Sequence, residues 1–99
     1  MTASLSTHVL DAAGGGGRAG LAVSVHDERG ELIGEATTDD AGRVASLATG
    51  LAPGRYRVSW RTGGAFLAAV AVTVELAEDR HYHLPLLASD ASAVTYLGA

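Results

Sequence analysis

Cysteine is absent from the 99 residues, which removes a disulfide framework, a thiol nucleophile and thiolate zinc sites from consideration. Basic residues are few. Seven Lys+Arg stand against eleven Asp+Glu for a net charge of −4, and they form no cluster, so neither a nucleic-acid groove nor an anionic-membrane patch is expected. No stretch approaches the roughly 18 apolar residues of a spanning helix. Met1-Thr2-Ala3-Ser4 has no basic flank and leads into no apolar segment, so no secretion signal is read there. The expectation is a soluble, cytoplasmic protein in a reducing compartment.

What the chain does contain is apolar residues, 47% of the total, spread through short alternating runs. That suits a single domain over residues 1–99, with one core and enough exposed surface for oligomer burial to help it. Leu5, Thr7 and Val9 alternate with Ser6, His8 and Leu10 in a first half-buried strand. Gly14 to Gly17 then reads as a flexible loop, because four glycines maximise backbone freedom. It lacks the Lys-Ser/Thr ending and following helix of a phosphate loop.

Leu21 to His26 and Glu31 to Thr38 form a hairpin about Arg29-Gly30, with His26 on its surface. Asp39-Asp40-Ala41-Gly42 is a second turn, since Asp bonds the backbone ahead of it and Gly accepts positive φ. Val44 to Leu47 reads as a short strand. After Pro53-Gly54, the run Arg55 to Arg61 should put Tyr56, Val58 and Trp60 in the core and its arginines outward. Residues 65–71 start as a short helical turn or belong to the strand that follows; periodicity leaves both open.

The last nineteen residues are the most unusual. Alternation places His81, His83, Pro85 and Leu87 on one strand face and Tyr82, Leu84 and Leu86 on the other. An imidazole sharing a face with Leu87 needs a reason, and the weakly charged stretch after Arg80 reads as packed against something. Short strands with turn signals every eight to twelve residues point to an all-β antiparallel sandwich of seven to eight strands, with at most one short helix.

Four pieces in order, Leu5-Ser6-Thr7-His8-Val9-Leu10-Asp11, Thr38 to Arg43, Pro53-Gly54-Arg55-Tyr56, and His81 to Leu87 followed by Thr95 to Ala99, resemble the transthyretin-like family and within it the 5-hydroxyisourate hydrolases of purine degradation. The resemblance implies a prealbumin-type sandwich assembled as a homotetramer, a dimer of dimers, with active sites where dimers meet. It implies catalytic roles for His8 and His83, substrate-binding roles for Arg43 and Tyr96, a small heterocyclic substrate, no cofactor and no metal. The chain departs from the family pattern at its end: Leu97 replaces a terminal arginine and Ala99 a serine, while Asp90 to Val94 keeps only fragments. The segment from Phe66 to Val72 is shortened, and Gly17 replaces a proline.

Opening a ring C–N bond with water needs a base, donors for the developing oxyanion and a shaped pocket. Imidazole titrates near neutrality, and a guanidinium offers a planar fork of donors. Taken singly, His8 is also an ordinary strand histidine, Arg43 a solvated arginine, and Tyr96 a core or interface tyrosine. His81 and His83 have a spacing that zinc can use, with His8 as the natural third ligand. Ser6 and Ser89 carry no nucleophile signature. Three readings follow: a hydroxyisourate-type cyclic-amide hydrolase; a diverged enzyme acting on another small heterocycle or lactam; and a non-catalytic ligand carrier or structural oligomer.

Overall fold

The computed structural model describes residues 2–98. Eight strands are formed: β1 (Ala3–Asp11), β2 (Ala22–Asp27), β3 (Leu32–Thr37), β4 (Arg43–Leu51), β5 (Gly54–Trp60), β6 (Val70–Leu76), β7 (His81–Ala88) and β8 (Ala93–Thr95). They lie in two four-stranded sheets, ordered β4-β1-β7-β8 and β3-β2-β5-β6. One pairing departs from the antiparallel expectation: β1 and β7 run parallel, in unbroken register from Ser4 opposite His81 to Asp11 opposite Ala88. The chain leaves β6 in one sheet and enters β7 in the other, so β7 arrives beside β1 pointing the same way.

The expected alternation holds on β1, β5 and β7. Leu5, Thr7 and Val9 of β1, Tyr56, Val58 and Trp60 of β5, and Tyr82, Leu84 and Leu86 of β7 are all buried. Fully enclosing a Leu, Val or Ile side chain stabilises the fold by about 1.5–3 kcal/mol each, so these inward rows supply much of the driving force. The polar groups of Trp60 and Thr7 inside the core are satisfied. The indole N–H of Trp60 donates to Thr7 Oγ1 over 3.0 Å, and the Thr7 hydroxyl donates to the carbonyl of Leu84 over 2.6 Å. This short chain ties the two sheets together through β1.

The strand expected over Val44–Leu47 is longer, running from Arg43 to Leu51. No helix forms at residues 65–71. There the amides of Phe66 and Leu67 both donate to the carbonyl of Asp90, and Gly63 and Gly64 bond Ala68 and Leu67, so the segment is held by its neighbours and not by helical bonds. The four-glycine loop is tied down as well. Asp11 N–H donates to Gly16 O, Gly15 N–H to Asp11 O, and Arg18 N–H to Val9 O. Gly17 packs so closely on the Asp39–Gly42 turn that a Cβ would overlap the carbonyl of Ala41. Among the described residues, no helix is long and apolar enough to cross a membrane.

Candidate functional site

Outward-facing side chains of β4, β1 and β7 share one sheet face, polar at Arg43, Ser4, Ser6, His8, His81 and His83 and apolar at Leu10, Pro85 and Leu87. Directly paired residues on neighbouring strands project to the same side. His8 of β1 pairs with Arg43 of β4 and with Pro85 of β7, and Ser6 pairs with His83. The structure therefore brings together three of the four residues proposed from sequence, His8, His83 and Arg43.

Each is held differently. Nε2 of His8 lies 2.9 Å from the carbonyl oxygen of Ala41. A carbonyl can only accept, so Nε2 carries the proton and neutral His8 keeps its lone pair on Nδ1. Asp39 shapes the turn that presents this carbonyl: its Oδ1 accepts from the backbone amides of Ala41 and Arg43, each over 2.9 Å. Those amides, Arg43's first, pull the Asp39 carboxyl below its ordinary value of 3.8 against some desolvation, with the charge of Arg43, and that of His8 when it is protonated, assisting. Arg43 itself is exposed and makes no ion pair among the described residues, which leaves its guanidinium free for a ligand.

His83 is half-buried, with Nδ1 2.7 Å from Ser6 Oγ. Removal from water holds its imidazole below the ordinary value of 6.5, and the neighbouring His8, His81 and Arg43 add to this by disfavouring another positive charge. It is thus neutral at neutral pH, with Nε2 turned away from Ser6.

His81 and Ser6 carry a signal that sequence reasoning did not use. Ser6 Oγ also lies 2.8 Å from His81 Nε2, and His81 Nδ1 lies 2.6 Å from Ser4 Oγ. The i, i+2 serines of β1 and the i, i+2 histidines of β7 were visible in the sequence. Their meeting required the parallel register. Among the described residues no three metal-ligating side chains gather, so the zinc trio His8, His81 and His83 does not form.

Tyr96 is not brought to this face. It is 53% exposed and, with Leu97, borders a groove of about 310 Å³ at the open edge of the sandwich, whose other walls include Val72, Leu76, Tyr82 and Leu84. The tail nevertheless reaches His83, because Gly98 N–H donates to the His83 carbonyl over 2.8 Å. A Cβ on Gly98 would stand 2.9 Å from His83 Cδ2. Ala99 lies outside the described residues. His26, expected on the surface, is half-buried in the other sheet, with Nδ1 enclosed and without a hydrogen-bond partner among the described residues.

Comparison with known proteins agrees with the fold. Residues 5–98 match the model of the HIUase/Transthyretin family. A 5-hydroxyisourate hydrolase of Caulobacter vibrioides is 36% identical over 112 residues, covering 96% of this chain and 97% of that protein. The structure of Klebsiella pneumoniae 5-hydroxyisourate hydrolase superposes with a TM-score of 0.88 at 30% identity, covering 97% of this chain and 99% of that one. Sea bream transthyretin in complex with thyroxine superposes with a TM-score of 0.87 at 27% identity, over 97% and 95% of the two chains.

Proposed function

Since the chain belongs to the HIUase/Transthyretin family, we propose that it is a 5-hydroxyisourate hydrolase-type enzyme, opening a ring C–N bond of that heterocycle by histidine-assisted attack of water. The supporting observation is the convergence of His8, His83 and Arg43 on one sheet face, in a chain that matches hydrolases of this kind along nearly its whole length.

His83 is the base. Its neutral imidazole takes a proton from water as the oxygen attacks the substrate carbonyl, and proton transfer of this kind contributes about 10²–10⁴-fold. Arg43, without an ion pair among the described residues and across β1 from it, holds the substrate oxygens and meets the charge that develops on the carbonyl. His8, anchored on Ala41, presents Nδ1 as a second acceptor beside the same ligand. The site is completed in a homotetramer. Val94, Tyr96 and Leu97 leave apolar surface exposed along the edge at β8, and a facing subunit that covers this edge brings Tyr96 into use. A monomeric mass by light scattering would remove the role given to Tyr96. The protein then works in the cytoplasm, on a small diffusible substrate.

The test is the ultraviolet decay of freshly generated 5-hydroxyisourate with and without the protein, with His8→Ala and His83→Ala as controls. Acceleration that vanishes in both variants supports the reading; no acceleration by the intact assembly refutes it. A second reading is favoured by one feature. Leu97, where hydrolases of this kind carry an arginine, lines an apolar groove, which suits a diverged enzyme acting on a less polar heterocycle or lactam.

A further inference from the structure

Ser6 stands between two imidazoles, with Oγ 2.8 Å from Nε2 of His81 and 2.7 Å from Nδ1 of His83. A serine hydroxyl has one proton to donate. When it donates to Nδ1 of His83, that nitrogen is bare and His83 carries its proton on Nε2. Nε2 of His81 must then donate to Ser6, so His81 also carries its proton on Nε2. When the serine proton points the other way, both rings carry their protons on Nδ1. In either case the two neutral rings share one tautomer. Beyond His81 the chain continues to Ser4 Oγ, 2.6 Å from His81 Nδ1. Ser6 is buried, whereas His81 is exposed, so the array runs from an enclosed hydroxyl toward solvent.

We propose that Ser6 locks the tautomers of His81 and His83 together, making His83–Ser6–His81 a reversible proton relay behind the reacting nitrogen. The coupling follows because buried Ser6 Oγ has no hydrogen-bond partner but the two rings among the described residues, so its one proton goes to one of them; its use in turnover rests on the hydrolase reading. In the form with both protons on Nδ1, Nε2 of His83 is free to accept a proton from the attacking water as its oxygen bonds to the carbonyl carbon. The Nδ1 proton of His83 then passes to Ser6 Oγ while the serine proton passes to Nε2 of His81. The positive charge now lies on the exposed ring, and His83 is neutral with a proton on Nε2. As the C–N bond breaks, the leaving nitrogen takes that proton and the reverse shift through Ser6 refills Nδ1. The starting array is restored with no net gain of protons. Ser6 and His81 are positioning residues in this scheme, since neither touches the substrate.

The decisive measurement is the tautomer of each ring, from long-range proton–nitrogen correlations of the full-length, ¹⁵N-labelled protein above the ordinary histidine value of 6.5. The expected result is one shared tautomer in the wild type and independent tautomers in Ser6→Ala. Opposite tautomers in the wild type, or rings that stay matched in Ser6→Ala, overturn the proposal. In turnover of 5-hydroxyisourate, Ser6→Ala should lower kcat by about tenfold with KM within about twofold. It should also straighten a bowed rate dependence on deuterium content. Ser6→Thr should restore both, and His81→Phe should copy Ser6→Ala. A loss of kcat that leaves the bowed dependence intact would mark Ser6 as merely structural and overturn the relay. If the wild type shows matched tautomers but no ring opening, the hydrolase reading falls and the coupling stands.

Discussion

A side chain at Gly17 would overlap the carbonyl oxygen of Ala41, the same oxygen that receives the Nε2 proton of His8. The glycine loop therefore bears on the site through steric absence. It lets the Asp39–Gly42 turn come close enough for Ala41 to orient an imidazole on the neighbouring strand.

Gly17→Ala should displace that carbonyl and release His8 without touching the substrate. Misplacement of a reacting group by about 1 Å can cost about 10²-fold in rate, which sets the scale of the expected loss in kcat/KM. Steady-state kinetics beside a thermal melt would separate this from unfolding. A folded variant with wild-type kcat/KM would show that the His8 anchor is dispensable.

The acid limb of activity should lie below pH 6.5. His83 has a folded-state value lowered from 6.5, so the fold favours its neutral form. Its contribution to stability is full above 6.5 and is lost as the pH falls through the folded value, because the unfolded chain then binds more protons. The same protonation removes the base. A profile of kcat/KM against pH should show a limb on the acid side of 6.5, and Arg43→Gln should move it upward but not fully to 6.5, since desolvation, the larger cause, remains. A limb above 6.5 would exclude His83 as the base.

Thr7→Val keeps the shape of the side chain and removes the hydroxyl that receives the Trp60 indole proton. The buried N–H is left without a partner, at a cost of about 1–3 kcal/mol. Denaturant midpoints at unchanged slope should show the loss. An unchanged midpoint would mean that another acceptor reaches Trp60.

Leu97→Arg restores the residue type that the hydrolase pattern has at this position. One oxyanion donor is worth about 10²–10³-fold in kcat at a preorganised site, so a gain of at least about tenfold is expected for 5-hydroxyisourate. Turnover that stays flat or falls would favour the diverged-enzyme reading.

Much of the strand pattern was legible because alternation is a local property. The rows through Leu5, Tyr56 and Tyr82 could be read off their own segments and proved buried. His8, Arg43 and His83 were reached through motif resemblance; alternation set His8 opposite Leu5, Thr7 and Val9 and His83 opposite Tyr82 and Leu84, but said nothing of where Arg43 points. The Ser6 pairing was not legible, because parallel register between β1 and β7 is fixed by how the intervening strands cross between sheets. Ala41 was invisible for another reason: its contribution is a backbone carbonyl, which every residue has. The loop at Gly14 to Gly17 was read as free because glycine permits motion, yet at Gly17 it permits close packing.

The hydrogen bonds from Ser6 to His83 and from Ser4 to His81 each join residues 77 apart in sequence. Non-local pairings of this span form only after the entropy of closing a long loop has been overcome, which makes them slow steps in folding. A chain emerging from the ribosome has β1 in hand for most of its synthesis but lacks its parallel partner until the last strands appear. The polar face is thus assembled at the end of folding, and an incomplete chain lacking β7 has no proton relay.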